Sequence, residues 1–211
     1  LGDVILWNTK MQDEYLKNSQ YIDTIAYKYS IAVLDLEKKL QNWEVLHDIL
    51  SKQRFNRPSD KDIVIHLRLG DIILKADATD KQKKDRIQYY DGNWIQLDDI
   101  VYFQSKNKVM TVSTPDKIDM ILKKLKSQYN KVYLVYGSHY KDIDKEANNK
   151  YLNLIKKVIK KNNFTYELMN RSPDEDFVFM ASSKVFIRSG GGYSWAISKL
   201  VKINNGIVFN G

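Results

Sequence analysis

The chain has 211 residues, with 34 Lys and Arg against 26 Asp and Glu, and it contains no cysteine. This length is enough for one domain with a proper hydrophobic core. The lack of cysteine excludes disulfides and thiolate metal sites and favours the reducing cytoplasm. No stretch of 18 apolar residues occurs, so we expect no membrane span in this segment. A start on Leu1 rather than Met is compatible with one domain of a larger polypeptide.

The formal net charge of +8 favours an anionic partner. Three kinds of partner fit this charge: a nucleotide diphosphate, a nucleic acid or an anionic surface. Much of the excess falls on predicted helix faces, as at Lys156 and Lys157, where a solvated face explains it. The sequence has no signature of a known nucleic-acid-binding module, so we expect no nucleic-acid partner.

Residues 1–60 predict a helical segment that precedes the main domain. Apolar side chains recur near helical spacing over residues 13–29 and again over residues 31–50. Pro58 and its polar neighbours then end the second helix. We therefore divide the chain into an N-terminal helical segment at 1–60 and a domain at 61–211.

The main domain begins with a short apolar run at residues 63–65, which is typical of a strand buried on both faces of a parallel sheet. His66 and Arg68 follow two residues apart, so their side chains leave an extended backbone on the same face. Gly70 allows a turn, and Asp71 then places a carboxylate beside the guanidinium. Open α/β sheets bind ligands at this end of their strands, which makes these residues a candidate site. The alternative is a local Arg68–Asp71 ion pair beside a satisfied buried histidine.

Residues 75–93 are poorly patterned and rich in Lys and Asp. A loop of this length is usually a lid, a binding loop or disorder, and we expect a loop near the active cleft or a disordered insertion. Two short strands are predicted beyond it, at 100–103 and 109–112.

The remaining part of the chain alternates strands and helices. Thr114 and Pro115 provide an N-cap and a first-turn proline for a helix that ends near Gln128. Ser172 and Glu175 form a predicted capping box for a helix through about Ser182. The other predicted elements are strands at 132–136, 165–169, 184–189 and 207–209, and helices around 152–159 and 193–202. This alternation predicts an α/β fold with a Rossmann-like parallel sheet and flanking helices.

A glycine-rich turn joins the strand at 184–189 to the following helix. It consists of Ser189, Gly190, Gly191, Gly192, Tyr193 and Ser194. Three consecutive glycines cost backbone entropy unless the turn needs a positive φ or a close approach to its main chain. A phosphate bound at a helix N-terminus is a common need of this kind, and an ordinary βα turn is the alternative.

Two stretches of the sequence resemble one known family. Residues 66–71 read His-Leu-Arg-Leu-Gly-Asp and resemble the His-x-Arg-Arg-Gly-Asp signature of the α1,2-, α1,6- and protein O-fucosyltransferase superfamily. Leu69 stands where that signature has its second Arg. Residues 176–180, 185–189 and 191–195 resemble the C-terminal signature of the same family, with glycines in place of Ser or Thr.

The resemblance implies a GT-B-like donor-binding domain and an inverting, metal-independent transfer of L-fucose from GDP-fucose to a glycan hydroxyl. It implies that Arg68 holds the β-phosphate, that His66 lies against the nucleotide base and that Asp176 contacts guanine. The diphosphate would be held by Ser189, Gly190, Gly191, Gly192, Tyr193 and Ser194. A base for the acceptor hydroxyl is also expected, and Asp71 is the candidate. No cofactor is required besides the sugar-nucleotide substrate.

Two alternatives remain open. The donor can be a different nucleotide sugar, such as a UDP-deoxysugar, or the chain can be a non-catalytic nucleotide- or anion-binding module of a larger protein.

We expect no metal site. The three histidines are widely separated in the sequence. Asp-x-Asp patterns occur at 142–144 and 174–176, but the first lies in a charged loop. The second is explained by the favourable placement of carboxylates at a helix N-terminus.

Overall fold

The computed structural model of the protein describes residues 43–52, 55–86, 91–106, 112–138 and 144–211. Over these ranges helices and strands follow one another in a mixed α/β fold. The elements in chain order are α1 (Trp43–Ser51), β1 (Asp62–Leu69), β2 (Ile73–Lys75), α2 (Asp80–Arg86), β3 (Gly92–Leu97), β4 (Ile100–Ser105), α3 (Pro115–Leu125), β5 (Lys131–Ser138), α4 (Lys145–Lys161), β6 (Thr165–Met169), α5 (Pro173–Ala181), β7 (Val185–Arg188), α6 (Gly192–Ile203) and β8 (Ile207–Asn210).

The main sheet has five parallel strands in the order β6-β5-β1-β7-β8. This confirms the predicted Rossmann-like fold. The chain moves outward from β1 to β5 and β6, and then returns to the other side of β1 to form β7 and β8. The direction of winding therefore reverses between β1 and β7. Doubly wound sheets bind their ligands at such a reversal, beyond the carboxyl ends of the two strands.

A smaller antiparallel sheet is inserted between β1 and α3, with strand order β2-β4-β3. Leu97 of β3 pairs with Ile100 of β4, so Asp98 and Asp99 form a two-residue turn, in which Asp98 has a φ of 50°. The strand predicted at 100–103 is confirmed. The prediction of one long loop over 75–93 is wrong over the range of α2, a helix with no buried residue, and at the start of β3.

Alternate residues of β1 face opposite sides of the sheet. Ile63, Ile65 and Leu67 pack in one core cluster with α3, α4 and the small sheet. Val64 packs in a second cluster with α1, α5 and α6. His66 lies two positions beyond Val64, so it shares the face covered by α5 and α6.

Two predicted helix starts are confirmed in detail. The Thr114 side chain accepts a hydrogen bond from the backbone N–H of Lys117 at the start of α3. At α5, Ser172 and Glu175 make both reciprocal bonds of a capping box. These bonds satisfy backbone donors that a helix leaves without internal partners. α3 ends at Leu125, three residues before the predicted end.

Some predictions lie outside the described residues. These are the helix at 13–29, most of the helix at 31–50 and, except for Val112, the strand at 109–112. The described end of the second helix is helical, as α1, and Val112 is not part of a strand. None of the helices in the described ranges has the length and apolar character needed to cross a membrane.

Candidate functional site

The candidate site lies beyond the carboxyl ends of β1 and β7, where the winding of the sheet reverses. β1 ends at Leu69 and is followed by Gly70, which has a φ of 113° and turns the chain away. β7 ends at Arg188, and the glycine-rich turn then leads into α6. Parallel pairing of β1 with β7 brings the two sequence signatures, which are more than 100 residues apart, to one edge of the sheet.

His66 is held by two hydroxyls from the glycine-rich turn and α6. Its Nδ1 is hydrogen-bonded to Ser194 Oγ at 2.5 Å and to Ser189 Oγ at 3.0 Å. All three residues are buried, and Ser194 has no exposed surface. A serine nucleophile must reach its substrate, so this buried Ser–His pair does not form a nucleophilic site. Instead, the two hydroxyls fix the orientation of the imidazole.

Tyr193 contacts both His66 of β1 and residues of α5. Its ring lies 5.6 Å from the His66 ring and 5.5 Å from the Phe177 ring, measured between centroids. Its hydroxyl donates a hydrogen bond of 2.6 Å to the carbonyl of Pro173. Burial, together with the charges of Asp176 and Asp174, raises the pKa of the Tyr193 hydroxyl, so this donor keeps its proton.

Arg68 lies between an acid and the glycine-rich turn. Its Nη2 is 3.7 Å from Oδ1 of Asp71, and 19% of the Arg68 side chain and 14% of the Asp71 side chain are exposed. Its Nε is buried and has no hydrogen-bond partner among the described residues. A buried guanidinium donor without a partner is costly, because its lost contact with water is not replaced. Arg68 therefore has unused capacity to bind an anion.

Gly191 is the residue that allows Arg68 to approach the turn. A Cβ atom on Gly191 would lie 3.0 Å from Nη1 of Arg68, and the residue has a φ of 102°. Gly191 is also the N-cap of α6, and no side-chain hydrogen bond caps this helix. The guanidinium thus approaches the positive end of the helix dipole. These two positive potentials repel each other unless an anion binds near both.

Asp176, predicted to contact guanine, is already paired within the protein. Its Oδ1 accepts a hydrogen bond of 2.9 Å from Nε of Arg171, and its Oδ2 accepts one of 3.2 Å from the backbone N–H of Arg171. Burial raises the pKa of the Asp176 carboxyl, and Arg171 opposes that shift. Asp174 differs, because its Oδ1 is buried without a partner among the described residues and burial raises its pKa.

Sequence reasoning missed two residues that support the site, Asn148 and Arg171. Oδ1 of Asn148 accepts a hydrogen bond of 2.7 Å from the backbone N–H of Gly70, and its Nδ2 donates to the Gly70 carbonyl at 3.4 Å. Asn148 therefore anchors the turn between Arg68 and Asp71. The sequence contains a signal for Asn148, because this polar residue lies on the buried helical stripe that continues through Tyr151, Leu152 and Ile155. A buried amide in an apolar stripe needs partners of its own.

The predicted site residues thus form two adjoining groups. His66, Ser189, Tyr193 and Ser194 form the first, and Arg68, Asp71 and Gly191 form the second. Gly190 and Gly192 flank Gly191 in the turn, and Asp176 lies near enough to Tyr193 to affect its pKa.

In the described part of the chain, no group of three or more His, Cys, Asp or Glu side chains could hold a metal ion. Asp144, from the first Asp-x-Asp pattern, is the N-cap of α4 and accepts a bond from the backbone N–H of Ala147. Comparison of the whole chain with protein-family models, with curated proteins and with solved structures finds no match.

Proposed function

We propose that this protein is an inverting glycosyltransferase that takes its sugar from a nucleotide-diphosphate donor, with GDP-fucose as the leading donor. One observation carries the proposal: Arg68 lies against the uncapped N-terminus of α6 at Gly191, and its Nε has no partner among the described residues. A diphosphate bound there would accept hydrogen bonds from the guanidinium and from the first backbone N–H groups of α6.

The proposed reaction places a glycan hydroxyl opposite the departing diphosphate. The hydroxyl oxygen attacks the anomeric carbon, the bond from that carbon to the β-phosphate oxygen breaks, and the configuration inverts. Arg68 and the α6 N-terminus stabilise the negative charge that develops on the leaving diphosphate, which is the role another enzyme class gives to a metal ion. Asp71 takes the proton of the acceptor hydroxyl.

His66 would lie against the nucleotide base, in line with the resemblance of residues 66–71. The hydrogen bonds between Nδ1 of His66 and the hydroxyls of Ser189 and Ser194 support this role because they fix the ring before a ligand arrives. The absence of cysteine from the sequence fits a reducing compartment such as the cytoplasm.

The Arg171–Asp176 pair favours a second candidate, a donor with a base other than guanine. Both oxygens of the Asp176 carboxylate already accept bonds from Arg171, so guanine would have to share or displace them. A UDP-linked deoxysugar is such a donor. The Arg68–Asp71 ion pair supports a third candidate, a module that binds a nucleotide without catalysis. Asp71 is the proposed general base, and Arg68 already pairs with its carboxylate.

Thermal unfolding in the presence of GDP, UDP, ADP and their sugar derivatives tests the proposal. A ligand that binds the native state stabilises it by mass action, by about 2.7 kcal/mol at a hundred times its Kd. We expect GDP and GDP-fucose to raise the Tm most, and fucose transfer to a mixture of glycans to persist in excess chelator. If no nucleotide raises the Tm, the donor site is wrong. Transfer that stops with chelator and returns with Mn²⁺ would contradict the metal-independent mechanism.

A further inference from the structure

A second concave surface is lined by residues outside the candidate site. It is a cleft of about 530 Å³ between α4, the β3–β4 turn and β6. None of its lining residues belongs to the two groups around His66 and Arg68. Its volume falls within the range of about 300–1,000 Å³ that is typical of small-molecule sites.

The α4 side of this cleft is strongly basic. It presents Lys150, Lys156, Lys157 and Lys160. Nζ of Lys150 lies 3.2 Å from Oε1 of Glu146 and 3.8 Å from Oδ2 of Asp99. The other three lysines have no carboxylate partner within the described part of the chain. Nζ of Lys156 donates a hydrogen bond to Oδ1 of Asn153 at 3.5 Å, which leaves its charge uncompensated. Three ammonium groups without a carboxylate partner create a positive potential that attracts an anionic group.

The opposite side of the cleft is built to accept hydrogen bonds. Asp98 and Asp99 of the β3–β4 turn line the same space. Carboxylates accept hydrogen bonds from hydroxyls, whereas a ligand that is anionic over its whole length would be repelled by them. The cleft therefore suits a ligand that carries a negative group at one side and hydroxyl groups at the other.

Apart from Asn153, the remaining lining residues are apolar or aromatic. Leu97 and Leu154 are half-buried there, and Tyr166 of β6 places its ring in the lining, with Nζ of Lys160 5.9 Å from the ring centroid. The C–H face of a sugar ring packs on such surfaces.

We propose that this cleft binds an acidic carbohydrate, a sugar unit that carries a carboxylate or a phosphate. The lysines of α4 bind the anionic group, Asp98 and Asp99 accept bonds from the ring hydroxyls, and the apolar wall contacts the ring. The proposal rests on the cleft alone and does not depend on the identity of the donor at Arg68.

Calorimetric titration of the whole chain at low salt tests this site with glucuronic acid, glucose 6-phosphate, glucose and inorganic phosphate. We expect at least one of the two acidic sugars to bind at least tenfold more tightly than glucose or phosphate. The acidic sugar that binds better identifies the source of the negative charge. Raising the salt concentration should weaken this binding, because the lysines are partly exposed.

Two matched double variants locate the site. Lys157→Gln with Lys160→Gln should weaken the acidic sugar at least tenfold. Lys124→Gln with Lys126→Gln removes the same charge from exposed positions outside the cleft, on α3 and its C-cap, and should change binding less than twofold. Arg68→Ala should leave acidic-sugar binding unchanged while it weakens GDP binding by about ten- to a hundredfold.

Several results would overturn the proposal. These are no binding of either acidic sugar, equal loss in both double variants, or loss in Arg68→Ala, which would place the acidic sugar at the candidate donor site. Tighter, Lys157- and Lys160-dependent binding of a single-stranded oligonucleotide would make the cleft a nucleic-acid surface instead.

Discussion

Gly191 combines two constraints that an ordinary βα turn does not impose. Its φ of 102° is strained for any residue with a Cβ, and a Cβ there would lie 3.0 Å from Arg68. Gly192, the next residue, lacks both constraints, because it has no positive φ and a Cβ there would meet nothing within 4 Å. Substitutions at Gly191 and Gly192 can therefore distinguish a specific need for glycine, at Gly191, from a general tolerance of small residues in the turn.

We predict that Gly191→Ala destabilises the fold by about 1–3 kcal/mol and weakens GDP binding, because the new methyl group strains the backbone and displaces the guanidinium. Gly192→Ala should leave GDP affinity unchanged and should stabilise the fold slightly, by up to about 1 kcal/mol. Urea unfolding and calorimetric titration of both variants check this. Parent-like stability and GDP affinity in Gly191→Ala would show that neither constraint operates.

At the same scale, the sequence predicts a set of candidate residues, several of which lie together in the structure, but it does not predict what their side chains contact. The spacing of His66 and Arg68 on a strand fixed the face they share. Ser189 and Ser194 were expected to hold a diphosphate, whereas their hydroxyls contact His66. Asp176 is predicted to contact a guanine base, whereas both oxygens of its carboxylate accept hydrogen bonds from Arg171. The bonds of the two serines with His66 join residues more than 120 positions apart, so spacing along the chain does not predict them. Arg171 and Asp176 are only five residues apart, but their pairing follows no regular helical or strand spacing.

Among the secondary-structure elements, α4 supports the turn that follows β1. Asn148 bridges both backbone groups of Gly70 and also donates a hydrogen bond of 2.8 Å from its Nδ2 to the carbonyl of Asp144. The helix thus fixes the main chain between the guanidinium of Arg68 and the carboxylate of Asp71. A site that must align two charged groups needs this kind of supporting contact.

We predict that Asn148→Ala lowers stability by about 1–3 kcal/mol, because the buried backbone N–H of Gly70 loses its partner, whereas the Gly70 carbonyl keeps its bond from the N–H of Ile73. It should also weaken GDP binding, since the turn that positions Arg68 is released. The adjacent Asn149→Ala is the control, because Asn149 is exposed on the same helix. Unfolding and titration are compared at a temperature where both variants are folded. Unchanged GDP affinity in Asn148→Ala would limit Asn148 to a purely structural role.

Elements with a clear hydrophobic stripe or a cap were predictable, and those without one were not. α3 and α5 begin at side-chain caps that the sequence displays. α2 consists of seven charged or polar residues with none buried, so it has no periodic signal to detect. The pairing of β2, β3 and β4 into a separate sheet was also missed, because two of these strands are joined through the Asp98–Asp99 turn rather than through a glycine turn.

At the scale of the whole molecule, strand order decides where a ligand can bind. The alternation of strands and helices predicts a parallel sheet, but it does not specify which strands are neighbours. The observed order places β7 beside β1, and so brings two distant signatures to the point where the winding reverses. The cleft along α4 depends on the inserted sheet in the same way, because the β3–β4 turn forms its second wall.

Arg68 and the N-terminus of α6 are proposed to bind a diphosphate together. Arg188 provides a matched control, because it ends the neighbouring strand but directs its Nε to Asn210 Oδ1 at 2.7 Å. Both arginines lie at the same edge of the sheet and carry the same charge, so nonspecific attraction of an anion would depend on them equally.

Calorimetric titration of GDP into the parent, Arg68→Ala and Arg188→Ala proteins tests this claim most directly. A charge-assisted hydrogen bond contributes about 1.5–3 kcal/mol, so Arg68→Ala should raise the Kd for GDP by about ten- to a hundredfold. Arg188→Ala should stay within about threefold of the parent. A folded Arg68→Ala protein that binds GDP as tightly as the parent, or a parent protein that binds no GDP, would contradict the account.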